Sequence, residues 1–487
     1  MTDARALVWF RRDLRVHDNE ALSKAATADS LLSVYCVDPR EYGPREYGGA
    51  DSFRFEKTGP HRTRFRLDSL SDLRESLRER GSDLLVRRGR PETVLPDLAE
   101  TLGVDTVYFH TWPTPEEMTV EAAVKSALRA ADVDLRRFWG HSLYHVNDLP
   151  TSYREIPDTY TPFRKSVESD ASVRPTFETP SSLPPLPDAV SESEAGTLPT
   201  PSELGVDGPP DDERAVLDFE GGETAGLQRL DEYVWERDCL REYKETRNGM
   251  VGADYSSKFS AWLNEGCLSP RRVHEEVKRY EDERISNDST YWLLFELLWR
   301  DFFQFQLAKH GGQFFTREGI RERDDIEWRD DETQFERWAE GETGIPFVDA
   351  NMRELNRSGY MSNRGRQNAA SFLVNNLRLD WRRGAAYFET QLVDYDPCSN
   401  YGNWAYIAGV GNDSRDRYFN IVKQAKQYDG DAEYIKRWLP ELESLPPAKA
   451  HEPWTLSADE QREFGVELGV DYPQPMVELE ASYEKLR

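Results

Sequence analysis

Cysteine is scarce: Cys36, Cys239, Cys267 and Cys398 are the only four among 487 residues. They lie far apart and form no CxxC pair, which excludes a disulfide framework and leaves no expectation of a metal or iron–sulfur site. Isolated core thiols are the reading that remains. Lysine is scarce as well, 13 of the 62 basic residues, the rest being arginine. No apolar run reaches the length that spans a bilayer, and no signal peptide precedes Leu7, so a soluble, cytoplasmic protein is expected. No GxGxxG follows the first strand-like segment, so the ordinary dinucleotide fingerprint is absent.

Acid is abundant. The formal net charge is −28, spread along the whole chain. Taken alone this argues against nucleic acid as a partner. An excess of Asp and Glu with little Lys also suits a protein kept soluble in concentrated salt, and a halophilic source is expected. At about 1 M salt the Debye length is only ~3 Å, so the global charge would hardly repel DNA. Counterion release would add little there, and DNA binding would rest on a shaped pocket and stacking. Aromatic residues are plentiful, with 13 Trp, 22 Tyr and 22 Phe, enough to supply large buried area. The length fits two or three domains.

Apolar runs at Ala6–Phe10, Leu31–Val37, Leu84–Val86, Val104–Phe109 and Val133–Phe138 alternate with helical patterns, notably His61–Arg80 and Pro115–Ala131. That alternation predicts an α/β domain over residues 1–140 with a doubly wound, parallel five-stranded sheet. Residues 141–220 read as an interdomain linker, richest in proline, Ser and acid from about Glu178 to Glu213. Residues 221–487 read as a large all-α domain, with helices predicted at Glu223–Arg241, Pro270–Arg284, Thr290–His310, Thr333–Ala339, Phe347–Ser358, Arg364–Asn376 and Arg383–Leu392.

Three groups of residues carry chemistry. Residues 361–404 concentrate Arg, Asp, Asn and Trp in a stretch otherwise fit for a helical core, as in Met361-Ser-Asn-Arg-Gly-Arg-Gln-Asn and Val393-Asp-Tyr-Asp-Pro-Cys-Ser-Asn-Tyr-Gly-Asn-Trp. Such groups are costly to bury unless they meet one another or a ligand. The segment Trp292–Phe303 is apolar on nearly all sides, predicting a buried helix, yet it carries Glu296 and Arg300 at i and i+4. They form either a structural ion pair or the lining of a cavity. Ser256, Ser257 and Ser260 precede a helical segment, placing hydroxyls and N–H groups where a diphosphate would find donors, or where a helix would find its cap.

These strings resemble the photolyase/cryptochrome family over nearly the whole chain. Trp9-Phe-Arg-Arg-Asp-Leu-Arg-Val-His-Asp-Asn19 is close to that family's amino-terminal signature. Tyr243-Lys-Glu-Thr-Arg-Asn-Gly, Gly252-Ala-Asp-Tyr-Ser, Asn287-Asp-Ser-Thr-Tyr-Trp, Phe347-Val-Asp-Ala-Asn-Met-Arg-Glu-Leu and Phe138-Trp-Gly-His-Ser-Leu-Tyr-His look like its DASH cryptochromes. The resemblance implies an FAD cofactor held by Tyr243, Ser256, Ser257, Lys258, Phe259, Ser260, Arg300, Asn363, Arg366, Asp394, Asp396 and Asn400. Arg366 with Asp394 would supply the cation beside the ring, Asn400 would face flavin N5, and Asp396 would meet the ring's polar edge. Glu296 would bond a thymine dimer. Trp404, Trp381 and Trp328 match a three-tryptophan electron relay from the flavin outward. Lys244, Arg247 and Arg364, with Glu296, would contact DNA.

The implied activity is light-driven repair of cyclobutane pyrimidine dimers, chiefly in single-stranded or looped DNA. An electron passes from photoexcited reduced FAD to a flipped-out dimer and returns after the ring splits. The alternative is a blue-light photoreceptor that binds DNA or partners without repair. Glu296 favours repair, because a sensor needs no carboxylate at the lesion. Two departures stand out. Trp112 occupies the position where folate-binding relatives place a Glu, so a second antenna chromophore (methenyltetrahydrofolate or a deazaflavin) is left open. Ser362, Asn363 and Gln367 stand where a (6–4) photolyase would have its active-site histidines, so (6–4) repair is not expected. A monomer is the default.

Overall fold

The computed structural model describes residues 4–49, 51–190, 195–413 and 418–484. Among them the strands are β1 (Arg5–Phe10), β2 (Ser30–Val37), β3 (Pro44–Glu46), β4 (Arg54–Glu56), β5 (Leu84–Arg88), β6 (Thr106–His110) and β7 (Asp134–Phe138). Five form a parallel sheet in the order β5-β2-β1-β6-β7, and β3 pairs with β4 as a separate antiparallel ribbon. The register of β1 on β2 sets Ala6 beside Leu31, Val8 beside Ser33 and Phe10 beside Tyr35. Both faces of the sheet are covered at its central strands β1 and β2, which is why these read as continuous apolar runs, whereas the edge strand β7 is largely exposed. Leu7, Trp9, Leu32 and Val34 pack with residues of the helices Pro91–Leu102 and Pro115–Ala130. Ala6, Val8 and Phe10 share a core with the Pro60–Glu79 helix and with the helical half of the chain.

Because β1 is the central strand, its carboxyl end opens at the point where strand order reverses, the usual ligand crevice of such sheets. Here the Arg11–Asn19 loop fills that crevice and fastens the sheet to the helices. Val16 and His17 donate their backbone N–H groups to Glu223 at 2.6 and 3.0 Å. Arg271 donates to Asp18 at 2.6 and 3.0 Å, and Ser269 Oγ donates to the same carboxylate. Arg15 donates to the Gly266 carbonyl at 2.8 Å, and Arg12 to that of Tyr395 at 2.9 Å. The charged loop is therefore a buried junction and not a solvated turn at a sheet edge.

The 141–220 stretch is more than a connector. It carries the helix Tyr160–Asp170, whose Tyr160 ring stacks on Trp299 at 3.6 Å. Residues 172–190 and 195–222 then run largely without regular structure, with a 3-10 turn at Ser202–Leu204. Beyond them the chain is helical. The single helix expected over Glu223–Arg241 is instead Glu223–Asp231, a π turn at Glu232–Glu236 and a 3-10 turn at Cys239–Glu242, with Asp238 at φ +56° breaking the run. Likewise Arg364–Asn376 resolves into the helix Asn363–Ser371 followed by a π turn, Phe372–Asn376. The structure adds the helices Pro91–Leu102 and Pro397–Ile407 to those expected from the sequence.

Gly266 makes the junction possible. Its φ is +72°, and a Cβ there would lie 2.0 Å from the Arg12 carbonyl oxygen. Gly266→Ala is expected to cost about 2–4 kcal/mol of stability through backbone strain and steric clash, measured by thermal or denaturant unfolding in high salt. An unchanged midpoint would show that the junction yields.

Candidate functional site

The Asp288–His310 helix starts at a capping box formed by Asn287 and Thr290, which fixes the first turn. Leu293, Leu297, Leu298 and Phe302 are buried, as the apolar pattern predicts. The helix is not enclosed on every side, however. Trp292, Glu296, Trp299, Arg300 and Phe303 line a cavity of about 490 Å³. The recurrence at 292, 296, 299 and 303 is one helical face, so the Glu296–Arg300 spacing marks a wall.

The opposite walls come from the sequence's other two clusters. Tyr243, Ser256, Ser257, Lys258, Phe259, Ser260, Arg300, Asn363, Arg366, Asp394, Asp396 and Asn400 all line this cavity, together with Arg247, Glu296, Arg364 and Trp404. Lys258 adopts φ +57°, turning the chain into the short helix Ser260–Asn264. Its ammonium donates to the Ala253 carbonyl at 2.9 Å and lies 3.3 Å from the centre of the Tyr255 ring. Burial, and then the Arg229 charge, push the Lys258 amine down to about 7.

Asp394 is the hub. Arg366 donates to both of its carboxylate oxygens at 2.8 and 2.9 Å, and Ser260 Oγ donates at 2.6 Å. Asn264 donates its side-chain amide to the Asp394 carbonyl. Burial opposes the Arg366 charge, and Asp394 more than offsets it, so the guanidinium is held above its ordinary range. Two residues on, Asp396 caps the Pro397–Ile407 helix, accepting from Ser399 N at 2.9 Å and Ser399 Oγ at 2.6 Å. Asn400, one turn into that helix, donates its side-chain amide to the Ala385 carbonyl at 2.9 Å.

Glu296 and Arg300 do not pair with each other. Arg300 donates to the carbonyls of His141 and of Leu263 (3.1 Å) and to the Asn264 side chain at 3.4 Å. Asp301 beside it accepts from Leu143 N and Tyr144 N at 2.9 and 2.8 Å, so the segment after β7 docks on this helix. Glu296 instead bonds Arg247 at 2.5 Å. Burial raises the Glu296 carboxyl above its ordinary value, with Arg247 opposing.

Of the three tryptophans, Trp404 lines the cavity, and Trp381 and Trp328 do not. Trp404 is on the wall, and its indole sits so close to Gly384 that a Cβ there would be 2.3 Å away. Trp381, fully buried, begins the helix that carries Gly384 and donates to the Arg317 carbonyl at 3.1 Å. Arg317 in turn reaches the carbonyl of half-buried Trp328 at 3.5 Å. Lys244 is off the wall, with its ammonium on Asp288 at 2.6 Å. Sequence reasoning missed Trp292, Trp299 and Asn403 as lining residues, while Gln367, named at the active-site position, lines the cavity as well. Each of the three missed lies three or four positions from a residue already singled out, so helical spacing would have found them.

A second cavity of about 530 Å³ opens between the sheet's loops and the helical half, lined by Arg12, Tyr47, Lys57, Arg62, Arg382, Glu389, Tyr395 and Tyr401 among others. Trp112 is not among its lining residues. It is buried, stacks on His141 at 4.2 Å and lies under the Arg12 guanidinium at 5.1 Å.

The main cavity offers hydroxyl donors with a helix start at one side, and a paired cation, an amide and an indole at the other. That set suits a ligand with a diphosphate and a polar aromatic ring. Residues 292–487 match the FAD binding domain of DNA photolyase, and residues 6–185 match DNA photolyase. A Cryptochrome DASH of Natronomonas pharaonis is 60% identical over 482 residues, covering 99% of each chain. A crystal structure of the Synechocystis sp. PCC6803 cryptochrome superposes with a TM-score of 0.94 at 51% identity, covering 100% of this chain and 99% of that one. A bacterial class III photolyase from Agrobacterium tumefaciens gives a TM-score of 0.85 at 32% identity, covering 100% and 96%.

Removing the hub carboxylate strands a largely buried guanidinium. Asp394→Ala is expected to lower the stability of the ligand-free protein by about 2–3 kcal/mol, read from its unfolding transition. Asp394→Asn, which keeps an acceptor, should lose less. Equal stability of all three proteins would remove Asp394 from this role.

Proposed function

Because this chain belongs to the DNA photolyase family, on its Cryptochrome DASH branch, and its helical half is an FAD-binding domain, we propose that it repairs cyclobutane pyrimidine dimers in light, chiefly in single-stranded or looped DNA. The observation that carries this reading is one shared cavity. Glu296 lines the same cavity as Arg366, Asn400 and Trp404, so a carboxylate able to bond a base edge shares a space with the groups suited to a flavin. Bound, reduced and illuminated, FAD supplies the electron that opens a cyclobutane ring.

The protein's own groups do the rest. Ser256 and Ser257 offer hydroxyl donors to a diphosphate, and Ser260, whose Oγ proton is held by Asp394, adds a backbone N–H with the rest of its turn. Arg366, held by Asp394, provides positive potential beside the ring. Asn400 would face flavin N5, and Asp396 would meet the ring's polar edge. Trp404, Trp381 and Trp328 form a path along which electrons enter from the surface. Arg247 and Arg364 at the cavity, with Lys244 outside it, meet phosphates. Flipping a lesion costs least from a single strand, and at high salt the charge of −28 is screened. The protein would act as a monomer in the cytoplasm; among the described residues no helix is long and apolar enough to cross a membrane. Any second chromophore is assigned to the second cavity, where Tyr47, Tyr395 and Tyr401 offer rings.

The test uses photoreduced protein in high salt with oligonucleotides bearing one thymine dimer. Blue light should restore the thymines in the single strand faster than in the duplex, and Glu296→Ala should slow repair about tenfold or more. No repair of either substrate, with flavin photoreduction intact, would favour the photoreceptor instead. Trp404→Phe should abolish photoreduction of oxidised protein while chemically reduced protein still repairs. Photoreduction at the wild-type rate would exclude the path through Trp404.

A further inference from the structure

Glu296 is already occupied. Its carboxylate bonds Arg247 at 2.5 Å, and the Arg247 guanidinium lies 4.4 Å from the centre of the Trp292 ring. Side-chain exposures of 34% for Glu296 and 22% for Arg247 place the pair toward the mouth of the cavity, where a ligand would have to pass. The neighbouring cations are engaged too: Lys244 with Asp288, and Arg364 with Asn248 at 3.0 Å and over the Tyr428 ring at 4.5 Å. Arg300, on the same helix as Glu296, is directed to His141, Leu263 and Asn264.

Resting on the reading that a pyrimidine dimer enters this cavity, the geometry points to an exchange of partners at its mouth. Arg247 is a stand-in ligand that leaves Glu296 for a backbone phosphate as the lesion enters. The freed carboxylate takes one proton from solvent and donates it in a hydrogen bond to a pyrimidine carbonyl. Each half of the exchange follows from chemistry. A phosphate matches the fork of a guanidinium and is doubly acceptor-rich, so it competes well with one carboxylate oxygen. Trp292 holds the planar guanidinium by its face, leaving the edge donors free to change partner. A pyrimidine carbonyl is an acceptor and repels a carboxylate, whereas a carboxylic acid satisfies it.

The surroundings of Glu296 favour the neutral form once Arg247 departs. Burial already lifts its carboxyl, and Arg247 is the opposing charge. The other titratable groups that face it are the phenols of Tyr160 and Tyr243, which supply no positive charge. Occupation by a lesion removes further water and raises the carboxyl again. Binding therefore takes up a proton. Lesion affinity should be greatest below the free protein's Glu296 value and fall by up to about tenfold per pH unit as pH rises from there to the value in the complex. An undamaged strand, which touches phosphate-binding groups without filling the cavity, should show little of this.

The experiment is calorimetric titration of the flavin-loaded protein, in the dark, with a dimer-bearing single strand and an undamaged one. Each is run at one pH in two buffers of different ionisation heat. Wild-type protein should take up close to one proton per lesion bound, and clearly less with the undamaged strand. Glu296→Gln, an isosteric change, should abolish the difference. Arg247→Gln should reduce it, because the charge that opposes burial at Glu296 is already gone before DNA arrives. Lesion binding with heats independent of buffer would overturn the exchange while leaving the dimer-entry reading intact. Equal affinity for both strands would overturn that reading and the exchange with it.

Discussion

The helical half depends on the contact between Arg366 and Asp394. It joins three pieces of chain that are remote in sequence: the Asn363–Ser371 helix, the short Ser260–Asn264 helix, and the turn that leads into Pro397–Ile407. A cavity of about 490 Å³ inside a helical body leaves its wall with unmatched polar groups unless they pair across it. Here the pairing is arranged so that Arg366 is fixed by its partner while part of it still faces the void. The same contact that makes the cavity tolerable to the fold leaves it chemically useful.

The sheet serves this cavity at a distance. Its central strand ends in a loop whose charges are met by Glu223, Arg271 and Ser269 of the helical half, and the segment after β7 is held by Asp301 and Arg300. Arg300 thus belongs both to the cavity wall and to the junction. A displacement of the sheet would reach the cavity through that residue, and the second cavity, lined from both halves, lies on the same seam.

The fold was readable where physical signals are local. Parallel strands buried on both faces announce themselves as apolar runs, and the long helices by period. The helix Pro397–Ile407 was hidden because its first turn is Pro397-Cys-Ser-Asn400, which reads as a turn until Asp396 is seen to cap it. Glu223–Arg241 reads as one helix because a π turn and a left-handed Asp238 leave the apolar period unchanged. In the site, residue types identified the members, and nearly all of them meet in one cavity. Their partners were not readable. Spacing on one helix pointed Glu296 at Arg300, yet its partner is Arg247, from a different element, and only the packing of that element against the helix decides this. Lys258, at a left-handed turn on the cavity wall, places its ammonium on the Ala253 carbonyl, a partner that residue type does not reveal.

The central claim is that flavin and lesion occupy one cavity. The emission lifetime of the reduced flavin in this protein, measured with saturating dimer-bearing single strand and with the same strand undamaged, tests it most directly. The account predicts a marked shortening with the dimer alone, because only a lesion in contact range accepts the electron. Equal lifetimes with both strands, under conditions where both are bound, would contradict it.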